Sequence, residues 1–594
     1  MNQLAKGLAA TLLMGLATAA TAQAQATEVL VTSDISGSET WTSNNTYNLQ
    51  GQIYVLPGAS LTIEAGTVVA SDAGGSLAVT NGAQIFVNGT KNSPVIMTSK
   101  LDVATWPAND DPSSGTWREA ANEWGNLTIM GDAYISENAT AGNVATPNAS
   151  NVATMEGLTA AFPGDTNVLY GGGNDDDDSG SISYLSIRYG GKVIALNNEL
   201  NGLSLGGIGR GTDISHVEIM NNVDDGIEVW GGTVNMKYLS IWNIGDDSFD
   251  VDQGYRGKVQ FLLIVQGHSL DASQGSGVGD NAIEHDGAED SDWQPVSSFV
   301  IYNATVIGQP VDGDGLTAWR DNARVQYRNC IFMDGGEKVV RFDNDDGDGA
   351  NGYGHNGTTS WADTWTTAYN SYSTVNAPAN PADFYQAQVD GNLAEMKDSV
   401  FFSNVNASAY TEADARGVFD AANNNVKEPA NSPIKGITRG ALVVRGGKNI
   451  VPVDNLDPRP KNDALTSVGS APDDGFFTPA NFRGAIDPAL PNAFYGWTAA
   501  EQFGFMDQET LCFEMRVGPN TVANLVVNAA RTEASVIAPN GTVFADDATL
   551  TINSLSPLNV TFPAGGSTVT ITNTGGLQWS VAGGPSGNLV PTDQ

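Results

Sequence analysis

Five carboxylates recur at matched positions in the middle of the chain: Glu228, Asp250, Asp252, Glu284 and Asp286. They sit in look-alike segments, Asp225-Gly-Ile-Glu-Val-Trp230, Asp247-Ser-Phe-Asp-Val-Asp252, Asn281-Ala-Ile-Glu-His-Asp286, Asp314-Gly-Leu-Thr-Ala-Trp319 and Glu337-Lys-Val-Val-Arg-Phe-Asp343. Each reads as a short strand whose side chains alternate between two faces. With Ile227, Phe249, Ile283, Leu316 and Val340 pointing inward, the outward neighbours are Glu228, Asp250, Glu284, Thr317 and Arg341. Two residues further on, the outward set is Trp230, Asp252, Asp286, Trp319 and Asp343. Carboxylates on strands about 4.8 Å apart repel by roughly 3 kcal/mol at an effective dielectric near 20. A bound cation, raised carboxyl pKa values or solvent screening would each relieve that. Ca²⁺ suits the first route, because it takes several hard oxygens in adaptable geometry. Carboxylate pairs at this spacing also suit glycoside hydrolysis. The catalytic candidates on that reading are Asp250, Glu284, Asp246 and Asp247, with Arg341 as the nearby base or counter-charge.

Two further stretches carry chemistry. Asn344-Asp-Asp-Gly-Asp-Gly349 opens like a calcium loop, with Asn344, Asp346 and Asp348 as ligands, but His355 stands where the bidentate Glu belongs. Trp361 and Trp365, four apart in an aromatic loop, join Trp230 and Trp319 as rings able to stack on sugars. The alternative for the loop tryptophans is that they pin it to the body of the protein. His285 falls in an inward slot and His268 at a turn, and neither has a Ser or Cys partner for nucleophilic work.

Composition narrows the partners. Lys plus Arg number 27 against 67 for Asp plus Glu, a net charge of −40. Such a chain repels nucleic acid and anionic lipid, and suits cations or a salty exterior. Residues 1–26 read as a secretory signal: Lys6, an apolar run from Gly7 to Ala20, and small residues around Ala24. No later run is long and apolar enough for a transmembrane helix. The expectation is a secreted bacterial protein, extracellular or held at the cell surface. Cys330 and Cys512 are the only cysteines, too few for a disulfide framework.

The elements positioning these groups repeat. Residues 47–99 alternate apolar and polar between Gly turns, and Val217-Glu-Ile219, Leu239-Ser-Ile241 and Leu262-Leu-Ile264 follow at 22 and 23 residues. Repeats of that length without helices predict a parallel β-helix, in which each coil buries its inward side chains against the next. Polar excursions at 100–123, 134–178 and 343–395 interrupt it, and unrepeated strands over 515–594 read as a small C-terminal β-sandwich. The β-helix is assigned to 27–514.

The run from Tyr47 through Ser99 resembles the opening coils of the secreted bacterial right-handed β-helix proteins of the pectin-lyase-like superfamily. Trp124-Gly-Asn-Leu-Thr-Ile-Met-Gly131, Val223-Asp-Asp-Gly-Ile227 and Gly245-Asp-Asp-Ser-Phe-Asp250 resemble one branch of it, and Asp457-Pro-Arg-Pro460 and Asn481-Phe-Arg-Gly-Ala485 resemble that branch's closing segment. The resemblance implies the fold and carries no activity. Within the superfamily, polygalacturonase-like enzymes show Asn-x-Asp, Asp-Asp and Gly-His-Gly on successive coils. Asn222, Asp224, Asp246, Asp247, Gly267 and His268 match in part, but Ser269 replaces the last Gly and no Arg-x-Lys follows. The expected function is non-catalytic, a regular surface binding polysaccharide or other copies of the protein with Ca²⁺. A polysaccharide hydrolase or lyase, and a filament or surface-layer subunit, are the alternatives.

Overall fold

The computed structural model describes residues 26–592 apart from 107–111, 139–144, 196–197, 268–278, 289–292, 312–314, 343–360, 372–375, 405–420, 446, 462, 464, 489–491, 507–510, 518–519, 528–533, 538–548, 552–567, 574–576 and 582–585. The short apolar runs pair in register with their counterparts one repeat later, always in parallel, and the coils close into a parallel β-helix. One wall is a sheet running in chain order through Gln52–Val55, Ser76–Val79, Leu127–Met130, Leu203–Ile208, Ile227–Gly232, Phe249–Asp252, Ile283–His285, Thr317–Trp319 and Val340–Phe342. The other two walls share longer strands, Gly180–Arg188, Asp213–Asn222, Asn235–Ile244, Lys258–Val265 and Val300–Ile307. Inside, aliphatic columns such as Ile227, Phe249 and Ile283 are fully buried, each worth about 1.5–3 kcal/mol relative to exposure.

A bend divides each long strand into two walls. Tyr184, His216, Tyr238, Phe261 and Asn303 occupy it at φ between 50° and 62°, a left-handed conformation that most L-residues avoid. The rings stack one coil on the next, with centroids 4.1 Å apart for Tyr184–His216, 4.4 Å for His216–Tyr238 and 4.7 Å for Tyr238–Phe261.

Parallel stacking ends at Val426–Lys427, so the last part of the 27–514 span is not further coils. Ile434–Arg439 pairs antiparallel with Val453–Pro460, and the chain then returns along the bend towards the early coils. Phe482 O accepts from Asn303 Nδ2 at 2.7 Å, and Ala499 and Ala500 donate to Glu218 at 2.5 and 2.9 Å. This strap covers an apolar outer face that includes Met220, Trp242, Leu263 and Ile307.

Among the described residues, the C-terminal strands from Leu511–Val517 to Ser586–Thr592 join in one seven-stranded, largely antiparallel sheet. Cys330 is a buried free thiol whose Sγ donates to Arg328 O at 3.1 Å, and the Cys512 side chain lies outside the described residues. Register differs from expectation at one coil: Ile283 pairs with Thr317, and Thr317 with Val340. Thr317 is therefore buried in the inward column assigned to Leu316, its hydroxyl satisfied by Val339 O at 2.6 Å. A slip of one residue exchanges the faces of the whole strand.

Candidate functional site

The nine-stranded wall brings the five expected carboxylates together and adds five more. Glu228, Asp250 and Glu284 stand side by side on consecutive rungs, and Asp252 neighbours Asp286. Where each rung begins, the same register aligns Asp224, Asp246 and Asp280, and beside them Asp225, Asp247 and Asn281. A Cβ on Gly226 would strike the Ser248 carbonyl, so this corner closes only with glycine there. The corner side chains have a structural task. Asn201 Oδ1 accepts the N–H of Asp225 at 3.1 Å, Asp225 Oδ1 that of Asp247 at 2.9 Å, and Asp247 Oδ1 that of Asn281 at 2.6 Å. Asn201 and Asn281 at the two ends are isosteres of the aspartates between them, and the ladder is an Asx motif repeated across coils.

The cluster is roofed. The excursion 134–178 carries the hairpin Ala153–Thr154 with Leu169–Tyr170, and its Met155, Leu158 and Tyr170 cover Trp230. Glu156, from the same excursion, meets Glu199 and Asp224 with ligand oxygens within 4.8 Å of one another. Three further triads satisfy the same limit: Asp224–Asp225–Asp246, Asp225–Glu228–Asp250 and Asp246–Asp247–Asp280. Asp225, Glu228, Asp247 and Asp250 are each less than a tenth exposed, so screening by bulk water does not offset their repulsion.

Burial, then neighbouring carboxylates, push Asp224, Asp225, Glu228, Asp247, Asp250 and Asp286 well above the usual carboxyl range. Burial takes Glu156 up to about 7 and Asp252 up to about 6. One cation enters from the shifted coil: Arg320 Nη1 lies 3.3 Å from both Glu284 Oε2 and Asp286 Oδ2. Arg341, at the edge, is 3.9 Å from Asp280. Two guanidinium groups cannot neutralise the twelve clustered carboxyls, the ten of the wall with Glu156 and Glu199.

Sequence reasoning placed Trp319 outward beside these acids. The register shift turns it inward, where it is fully buried 4.7 Å from His285 and 5.1 Å from Trp365. Arg320 takes the outward position instead. Trp230 and Trp365 are also buried, so none of these three rings faces solvent for a glycan. Trp361 opens a short helix, and its side chain lies outside the described residues, as do Asn344, Asp346 and Asp348. His285 occupies its expected inward slot, bonded to the Tyr327 hydroxyl, with burial lowering its pKa to about 3. The members not foreseen as one site were Asp224, Asp225, Asp280, Glu156 and Glu199. The first three were legible as an Asp-Asp or Asp-Asn pair three residues ahead of each Glu228, Asp250 and Glu284.

The donors are carboxylate and amide oxygens without His or Cys, a hard set suited to Ca²⁺ or Mg²⁺ rather than Zn²⁺. Asn281 is 1 % exposed, and neither its amide oxygen nor its nitrogen has a hydrogen-bond partner. Asp286 Oδ1 is likewise buried and unpaired. The two orphaned oxygens, Asn281 Oδ1 and Asp286 Oδ1, at the edge of a crowded anionic pool, are of the kind that could ligate a cation. A family profile described as a pectate-lyase like beta helix domain matches residues 33–398. No curated protein and no solved structure matches the chain.

Proposed function

We propose, from the premise that this chain belongs to the pectate-lyase-like β-helix family, that it is an exported, non-catalytic protein binding extracellular polysaccharide or neighbouring copies of itself, stabilised by Ca²⁺. The family points to carbohydrate-related work. The observation carrying the cation is the pool of Asp224, Asp225, Glu228, Asp247 and Asp250, all buried, with the half-buried Asp246 and Asp280 beside them. Bound Ca²⁺ would supply positive charge where the two arginines fall short, and the roofed position suits a structural ion. Glycan contact then falls to surfaces outside the roof, since Trp230, Trp319 and Trp365 are buried.

Thermal unfolding with a Ca²⁺ titration, followed by a glycan array with and without chelator, tests this. Saturation at about 100 times Kd adds about 2.7 kcal/mol, and a rise of several degrees in midpoint is the expected result. A flat response through millimolar Ca²⁺ sinks the cation, and an array without hits sinks glycan binding.

A second reading has its own observation. Glu156, held near 7, sits with Glu228 in a pair able to share a proton, an arrangement that in hydrolases separates a general acid from a carboxylate. On this reading, Glu156→Gln with Glu228→Gln abolishes polysaccharide cleavage without lowering the melting temperature. Absence of cleavage by the native protein across uronate and neutral glycans dismisses it.

A further inference from the structure

Where the strap crosses the early coils, on a different sheet from the acidic pool, it leaves a cavity of about 480 Å³. Two turns one coil apart form one side of it. The Gly66 N–H donates to Ser93 O at 2.9 Å, and Val68, Asn92 and Pro94 line the space beside them. The strap supplies the other side with Trp497, Thr498, Glu501 and Gln502.

The lining is chemically mixed. Val68, Pro94 and Pro112 are half-buried and offer apolar contact. Some polar groups are committed to the fold. Gln502 Nε2 donates to Pro112 O, Thr498 Oγ1 to Phe494 O at 2.7 Å, and Glu501 Oε2 accepts the Gly496 N–H at 2.6 Å. Ser93 Oγ and Gln502 Oε1, on half-buried residues, bond no other described residue, which leaves a hydroxyl and an amide oxygen to a ligand. Charge sorts the ligands further. Arg188 is 1 % exposed and engaged inward: Nε donates to Ser186 Oγ at 2.9 Å, the same hydroxyl donates to Glu218, and Asp102 and Glu218 both feel the guanidinium. The half-buried Glu501 is then the charge that a ligand meets, on a chain of net charge −40. Anions are repelled. A wholly apolar ligand would strip water from Ser93 and Gln502 without replacing its hydrogen bonds.

We propose that this cavity binds a neutral sugar unit of an extracellular polysaccharide, its ring C–H groups against Val68 and Pro94 and its hydroxyls bonded to Ser93 Oγ and Gln502 Oε1. A sugar ring has hydroxyls at its rim and C–H groups on its faces, so it needs apolar walls and a few placed polar groups together. The volume lies in the range of small-molecule sites. The site rests on the polysaccharide reading above and gives it a place and a sugar class, with no part for the acidic pool.

Calorimetry on the full chain with cellobiose, maltose and lactose, and with digalacturonate as a charged counterpart, is the test. At least one neutral disaccharide should bind saturably, with digalacturonate at least about tenfold weaker. Ser93→Trp fills the cavity from a half-buried turn position; it should keep the melting temperature and lose the neutral sugar. Glu501→Gln keeps an acceptor for Gly496 and removes the charge, so it should narrow the gap between neutral sugar and digalacturonate several-fold. No neutral binding up to roughly 10 mM, a preference for digalacturonate, neutral binding undiminished by Ser93→Trp, or an unchanged gap in Glu501→Gln overturns the proposal. Where glycan-array hits persist beside any of these, polysaccharide binding stands and only this site for it falls.

Discussion

Asp225 and Asp247 each hold the next rung through one carboxylate oxygen and present the other to an anionic pool. The first task needs an acceptor and the second costs stability whenever the group must ionise. A carboxyl whose pKa is raised on folding keeps its proton in the folded chain after the unfolded chain has lost it. Stability is then present at low pH and lost as pH rises through the folded value. Two imidazoles work the other way: the half-buried His216, lowered to about 4, and the buried His285, lowered to about 3, add stability as pH climbs to about 6.5. Above that they are spent, while carboxyls of the pool, with Glu156 near 7 and others raised well above their usual range, still titrate. Metal-free protein should therefore lose stability as pH rises beyond about 6.5 and through the raised carboxyl values, among them the one near 7 for Glu156, by up to about 1.4 kcal/mol per pH unit for each carboxyl forced to ionise. Asp250→Asn should flatten that slope and raise the midpoint at pH 8 in chelator, while weakening any response to Ca²⁺. Thermal scans across pH decide it; a midpoint that is constant or rises over that window defeats the electrostatic account.

The bend shows what element geometry demands. His216 stands in a left-handed conformation between Tyr184 and Tyr238. A β-branched residue there adds about 1–2 kcal/mol of backbone strain to the roughly 0.5–1.5 kcal/mol of each lost ring stack. His216→Asn forfeits the stack but tolerates the conformation, so His216→Val should unfold at clearly lower urea than His216→Asn. Equal midpoints would mean that the bend imposes no such restriction. The inward columns, by contrast, were legible from alternation alone, because Ile227, Phe249 and Ile283 have no polar competitor for the core. Alternation failed at Asp314-Gly-Leu-Thr-Ala-Trp319, where Leu316 and Thr317 are both able to be buried once the threonine hydroxyl finds Val339 O. A strand of three residues contains too few alternations to set its own register. Neighbouring coils set it, and the slip turned Trp319 in and Arg320 out.

At the scale of the whole molecule, contacts between distant segments were the least legible. Glu156 reaches the pool from an excursion whose composition marks it only as polar, and nothing local announces that it roofs Trp230. The strap is similar: Phe482 lies in a segment that resembles a closing motif, but what it and Trp497 cover is not legible until the bend is known. Trp497 lies edge-on to Tyr184 and His216, with centroids 5.6 and 5.9 Å away, and Phe494, Tyr495 and Met506 help bury Trp242 and Leu263. Removing this cover would expose an apolar face of a size that soluble monomers rarely tolerate. The seven-stranded C-terminal sheet follows the strap, and bears on coil stability only if it docks on the coils. A chain ending at residue 510 should keep the main unfolding midpoint within a few degrees, whereas one ending at 462 should drop by more than about 10 °C or aggregate. Calorimetry with light scattering separates the two. Were both truncations equally harmful, the terminal sheet would share the load assigned to the strap; were neither harmful, the coils would be self-sufficient and the strap free to serve as an exchangeable cover between copies.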